Sequence, residues 1–339
     1  MPTLGEIWFV LVGVLLLGYA VLDGFDLGVG ILAPFLGRSE QDRALILRTI
    51  GPVWDGNEVW LLTAGGALFA AFPLVYATVF SGFYLALVLL LAALIVRAVA
   101  LEFRHQLPGE RWRRAWDGVF LVGSALPPLL LGVAVGNVIR GLPLDATGAY
   151  AGGLLGLLTP LPLLVGLLVE AFCIAHGAAW LILKTEGGIQ VRARRVARLA
   201  IVVEAALWLA ASLAAVPLAP NHVAAFGSPL AWVAPAVVIA ALATFAWALR
   251  GSREATPLLA SGVAMAGMIA TLGVGLFPNL VPALDEPGRS LTISATASSD
   301  LTLTVMLAIA LVGVPLVLAY TAFVYWRLRG KVQAEEPGY

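Results

Sequence analysis

Charge is what this sequence has least of. Asp, Glu, Lys and Arg make up 12% of its 339 residues, against about 25% in an average soluble domain. Lysine is nearly missing, with Lys184 and Lys331 the two in the chain. The 20 basic and 20 acidic residues cancel, so there is no excess charge to recruit nucleic acid. A lone cysteine, Cys173, excludes an internal disulfide and a thiolate metal site. Histidine is scarce too, at three residues, and no Walker-type phosphate loop is present, which argues against an ATP-driven pump on this chain. Apolar residues fill the space: 61% of the chain is hydrophobic and the mean hydropathy is +0.97. A soluble core of this size would expose far too much apolar surface, so the composition predicts an all-α, polytopic membrane protein.

A membrane helix needs roughly 20 apolar residues. Runs near 7–34, 52–72, 74–100, 117–139, 158–183, 199–218, 230–249, 257–280 and 301–326 meet that requirement, about nine spans forming one integral membrane domain over 1–339. The first run is not a cleavable signal, because it lacks a basic start, carries Glu6 and leads directly into Asp23 and Asp26. Loop charge supports the count. Segments rich in arginine, such as Arg38 to Arg48, Arg104 to Arg114 and Lys184 to Arg198, alternate with segments nearly free of it. Under the positive-inside rule, the N-terminus lies outside and the C-terminus in the cytoplasm.

Four acids and one arginine fall inside this apolar frame. Asp23 and Asp26 lie three residues apart, roughly 24–28 Å along the first span at helical rise. In the second span, the stretch from Val59 to Phe72 is too short to cross alone, so the helix extends back through Trp54-Asp55-Gly56-Asn57-Glu58. Asp55 and Glu58 then share a face at a similar depth, and Arg97 closes the third span in the same layer. Carboxylates cost about 2.5–3.5 kcal/mol each in the apolar layer, so they face a bundle interior or a wet cavity. Three readings remain open: interfacial acids paired with loop arginines, a proton or cation path, or an anchor for a charged group on a partner. A stand-alone secondary transporter with a carboxylate cation site is the alternative function. Gly24, Gly28 and Gly30, with Gly56, Gly65 and Gly66, read as places of close helix approach. Of the histidines, only His176 falls within a span, so bis-histidine haem ligation has no partner for it, and the chain is expected to carry neither haem ligands nor a metal site. Glu170, His176 and Glu204 lie in spans with no assigned role.

These residues carry a resemblance. Residues 18–28, around Asp23 and Asp26, and the run from Trp54 to Ala70 resemble the first- and second-helix signatures of subunit II of cytochrome bd-type quinol oxidases. Ser81-Gly82-Phe83-Tyr84, Arg97, Trp116-Asp117, residues 132–137 and Ser298-Ser299-Asp300 follow in the family's order, while 140–230 matches loosely. The resemblance implies a haem-free subunit of two four-helix bundles plus a peripheral helix, in the bacterial inner membrane. It implies a complex that oxidises quinol and reduces O2 to water. Its partner, subunit I, would carry two b-type haems and one d-type haem, and a small single-helix subunit is a further partner. In such families the residues matching Asp26 and Arg97 support haem assembly in the partner, and acids matching Asp55 and Glu58 serve proton entry; Asp23 and Asp26, at the same depth in this chain, are further candidates for the proton path. Since position 58 accepts Gln in the family pattern, Asp55 stands out as the weightier of that pair. Some members hold a structural quinone, for which no residues of this chain are assigned.

Overall fold

The first helix begins where its side chains can close it. In the computed structural model, which describes residues 2–332, α1 (Leu4–Leu36) starts with a capping box. Thr3 Oγ1 accepts the Glu6 N–H at 3.2 Å and the Glu6 carboxylate accepts the Thr3 N–H at 2.7 Å, an arrangement worth about 1 kcal/mol. A nine-residue helix follows, α2 (Glu40–Arg48), capped by Ser39. The next run holds α3 (Trp54–Ala71), α4 (Pro73–Gly82) and α5 (Tyr84–Phe103). The expected single span at 74–100 is therefore divided. At Phe83 the backbone leaves helical geometry (φ −101°, ψ 19°). Gly82, with its low helix propensity, makes that break cheap. The pieces stay end to end, because Phe83 donates to Val79 O at 2.9 Å and accepts from the Leu87 N–H at 2.8 Å.

The remaining long helices are α6 (Glu110–Arg140), α7 (Pro160–Lys184) and α8 (Gly187–Leu218). After the short α9 (Pro220–Ala224) come α10 (Val233–Ala248) and α11 (Ala255–Leu276). A small antiparallel hairpin, β1 (Asn279–Val281) with β2 (Leu291–Thr292), precedes the single-turn α12 (Ile293–Thr296) and the last helix, α13 (Asp300–Arg327). Eight of these, α1, α5, α6, α7, α8, α10 with its leading turn, α11 and α13, are long and apolar enough to cross a membrane. The remaining expected span is α3, whose 18 residues include Asp55 and Glu58 and are correspondingly less apolar. The expected C-terminal end, from Gln333 on, lies outside the described residues.

The helices pack as two groups. Helices α1, α3, α5 and α6 form one bundle and α7, α8, α10 and α11 the other, joined where α1 and α6 both lie on α7. The α1–α7 crossing depends on glycine. A Cβ at Gly28 would overlap the Cys173 carbonyl, and one at Gly177 would meet the Gly28 backbone. Close backbone approach of this kind is how helices associate without a hydrophobic driving force. Helix α13 lies at the margin against α1 and α3, with 6% of its apolar stretch buried.

Charge is segregated by end. The arginine-rich loops meet at one end of the bundles, called here the basic end. There Arg104 donates to both Glu40 carboxylate oxygens at 2.8 and 3.0 Å and to Asp117 at 2.6 Å. Arg192 pairs with Asp42 at 2.6 Å, and Lys331 with Glu254 at 2.6 Å. The opposite end is closed by hydrogen bonds onto backbone carbonyls instead. The Leu142 N–H donates to Pro282 O at 2.9 Å, the Leu284 N–H to Leu142 O at 2.8 Å, and Thr78 to Gly148 O at 2.8 Å.

Candidate functional site

Arg97 on α5 is fully buried, and two carboxylates from two other helices meet it. Nη2 donates to Asp23 Oδ1 of α1 at 3.1 Å and Nη1 to Glu58 Oε2 of α3 at 3.4 Å. Its guanidinium carbon lies 6.0 Å from the centre of the Trp54 ring. A buried ion pair with good geometry is kept because removing one partner strands the other, at about 3–5 kcal/mol.

Asp26, one turn from Asp23 and equally buried, has a different neighbour. Asn57 Nδ2 donates to Asp26 Oδ2 at 2.7 Å, and the Tyr325 hydroxyl on α13 donates to Asn57 Oδ1 at 3.0 Å. Four helices thus contribute to one cluster. Asp23 Oδ2, Asp26 Oδ1 and Arg97 Nε are buried without a hydrogen-bond partner among the described residues. One guanidinium faces three carboxylates, so the charge of the cluster is set by how many protons it holds.

The face that Asp55 and Glu58 are expected to share is divided between them. Asp55 is exposed, while Glu58 turns inward onto Arg97. The inward stripe of α3 is Asn57, Trp60, Ala64 and Ala71. A spacing of three residues spans about 300° of helix, so two side chains share a broad face without both reaching its centre. Asn57 and Tyr325 carried no site reading from the sequence. The signal for Asn57 was its place on the apolar stripe with Trp60 and Ala64. For Tyr325, at the far end of the chain, there was no local signal.

The other flagged residues lie apart from this cluster. His176 hydrogen-bonds Val21 O through Nε2 at 2.9 Å and stacks on Phe172, ring centres 5.0 Å apart. Its Nδ1 is buried with no hydrogen-bond partner among the described residues. His222 is buried in α9, and burial pushes its imidazole down to about 4. Glu204 on α8 is buried with neither carboxylate oxygen bonded, and Glu170 on α7 has one oxygen in that condition. Among the described residues no group of three or more His, Cys, Asp and Glu is placed to hold a metal ion. A cavity of about 250 Å³, almost wholly apolar, runs between Tyr19, Phe172 and Cys173 at one end and His222 at the other.

At the basic end, burial acts to raise the Glu40 carboxyl, but the Arg104 hydrogen bonds and the charges of Arg104, Arg113 and Arg43 outweigh it and hold it below its ordinary value. Arg104 is held on the charged side by Asp117 and Glu40 against its own burial.

Comparison with known proteins agrees along the chain. The profile of the family described as cytochrome bd terminal oxidase subunit II matches residues 4–328. The chain is 39% identical to the cytochrome bd-I ubiquinol oxidase subunit 2 of Escherichia coli strain K12, over 97% of this chain and 95% of that protein. It is 35% identical to the cytochrome bd ubiquinol oxidase subunit 2 of Bacillus subtilis strain 168, over 99% of each. Its fold is similar to a chain of the bd oxidase structure from Geobacillus thermodenitrificans, with a TM-score of 0.78, 19% identity, and coverage of 96% and 99%.

Proposed function

The chain belongs to the cytochrome bd terminal oxidase subunit II family, and from that premise we infer how its buried cluster serves the complex. It is a multi-pass membrane subunit of a bacterial quinol:O2 oxidoreductase of the respiratory chain, and the stand-alone transporter alternative is not supported. The catalytic haems, two of b type and one of d type, belong to subunit I, and this chain holds none. His176 and His222 are each buried among their own neighbours, which supports that division. Quinol and O2 react on the partner, and a small single-helix subunit completes the assembly.

The observation that carries the reading is the Asp23–Arg97–Glu58 and Asp26–Asn57–Tyr325 cluster. It serves two roles. Arg97 and Asp26 hold α1, α3 and α5 in the register that subunit I needs to acquire its haems. Asp23, Asp26 and Glu58 pass protons taken from the cytoplasm toward the partner, since they are the members of the cluster whose charge can change. Asp55, exposed on the outer side of α3, belongs to the partner-facing surface rather than to the buried proton relay. That surface also carries Gly56, Gly65 and Gly66, where an added Cβ would point into open space, and Leu62 and Phe69, which are 73% and 58% exposed. Small residues beside large apolar ones suit helix packing against a second membrane subunit.

The positive-inside rule places the basic end in the cytoplasm, with the N-terminus outside and the C-terminus inside. The nine spans act as one integral membrane unit over 1–339. The 250 Å³ cavity falls below the roughly 300–1,000 Å³ of sites that enclose a whole drug-sized ligand. It suits one segment of a structural quinone, its isoprenoid part in particular, because the lining is apolar.

The test is Arg97→Leu beside Asp26→Leu in the intact complex. Both variants are expected to insert and to lower the haem absorbance per complex by half or more. Full haem spectra with wild-type oxidase activity in both would overturn the assembly role.

A further inference from the structure

A second polar site lies at the basic end and adjoins the buried cluster at Tyr325. The loop before α3, the end of α7 and the end of α13 enclose a cleft of about 470 Å³. Five cations line it: Arg48, Lys184, Arg327, Arg329 and Lys331. No carboxylate lines it among the described residues. The floor is apolar, with Val53, Trp180 and Leu183.

The cations are held, not trailing. Lys184 Nζ donates to Leu328 O at 2.5 Å and lies 5.5 Å from the Trp180 ring centre. Lys331 donates to Ile182 O and Thr185 O, both at 3.1 Å, and pairs with Glu254, which stands outside the lining. Arg329 lies over the Trp326 ring at 4.9 Å. The Val332 N–H donates to Lys184 O at 2.9 Å, so the strand after α13 is fastened across the α7–α8 turn.

Depth selects the anion. Helix α7 ends at Lys184 and α13 at Arg327, which puts the cleft where spans stop and lipid head groups begin. Trp326, 57% exposed, is the kind of aromatic that sits at that level. Just above it, α13 presents Tyr320 and Phe323 outward, 69% and 58% exposed, beside which an acyl chain can lie. A soluble polyanion would meet the leaflet's own negative charge on approach, whereas a lipid phosphate is already at the right depth.

We propose that this cleft binds the phosphodiester head group of an anionic phospholipid. Tyr325 lines the same cleft and donates to Asn57, which in turn donates to Asp26. The lipid phosphate therefore sits beside the outermost member of the buried hydrogen-bonded chain, and its occupancy steadies Tyr325 in that bond.

The experiment uses the intact complex in nanodiscs of phosphatidylcholine containing about one-fifth phosphatidylglycerol, with lipid retained after delipidation counted by native mass spectrometry. Each basic residue near the membrane surface contributes roughly fivefold in affinity, so Arg327→Gln with Arg329→Gln is expected to weaken retention by about 25-fold. Haem content of the variant should stay at the wild-type level. Equal retention of phosphatidylglycerol in wild type and variant overturns the proposal. Displacement of that lipid by millimolar inorganic phosphate would identify a free-phosphate site and overturn it as well. The competing anion within the chain is residues 333–339, which include Glu335 and Glu336. A chain ending at Val332 should retain the lipid as wild type does. Retention that arises only after this truncation would assign the cleft to the chain's own acidic residues and sink the lipid reading.

Discussion

Glu58 and Asp55 differ by three positions and by their whole environment. Glu58 touches Arg97 at 3.4 Å and Asp55 is exposed. The amide variants separate their roles, because they keep shape and hydrogen bonding but cannot titrate. Asp26→Asn combined with Glu58→Gln is expected to lower quinol oxidase turnover by about tenfold or more, with normal haem content and a displaced pH profile. Asp55→Asn alone is expected to leave turnover near wild type, the reverse of the weight the sequence placed on that residue. Full turnover and an unchanged pH profile in the double amide would remove the proton role. The acids of this site were legible because a carboxylate in an apolar run stands out. Asn57 was not, since an amide among five polar or aromatic residues carries no comparable cost to notice. Nor was the inward turn of Glu58, because three-residue spacing leaves open which of two side chains reaches the bundle centre.

Helix α2 shows how an element outside the apolar layer is fixed by charge. Its acids Glu40 and Asp42 are gripped by Arg104 and Arg192, which belong to distant parts of the chain. Arg104→Ala is expected to loosen α2 by about 2 kcal/mol, within the range for hydrogen bonds to charged groups. The loosening would be read as faster amide exchange over 40–48 and protease cutting after Arg43 or Arg48. Glu40 adds a pH dependence. Its carboxyl is held below the ordinary 4.5, so its contribution is complete above that value and fades as the pH falls through the lower folded value. Protection of α2 should therefore persist at neutral pH and decline as the pH falls below 4.5. Unchanged exchange in Arg104→Ala would show that apolar contacts of Ile46 and Leu47 suffice to hold the helix. The sequence read this segment as a basic loop. Its Ser39 cap and early acids were helix-start signals, but nine residues between two long apolar runs read as a connection. The break at Phe83 was hidden for a related reason, since hydropathy continues straight through it.

Across the whole molecule, the loop charges and the contacts tell one story. Every arginine-rich loop meets at the same end, and backbone hydrogen bonds close the other. Reporter fusions at Glu110 and Gly188 should read cytoplasmic, and fusions at Gly148 and Gly288 outside. Inversion at any two positions would break the nine-span arrangement. The helical layout was legible because apolar length is a whole-chain signal that needs no side-chain detail. The hairpin of β1 and β2 was not, being five residues of ordinary loop composition. The bond between Asn57 and Tyr325 joins positions 268 residues apart, so α3 is made long before α13. Until that helix has been delivered to the membrane, Asn57 holds Asp26 but is itself unanchored. Completion of the buried chain thus waits on the delivery of α13, and a chain cut short before Asp300 presents an open site at Asn57.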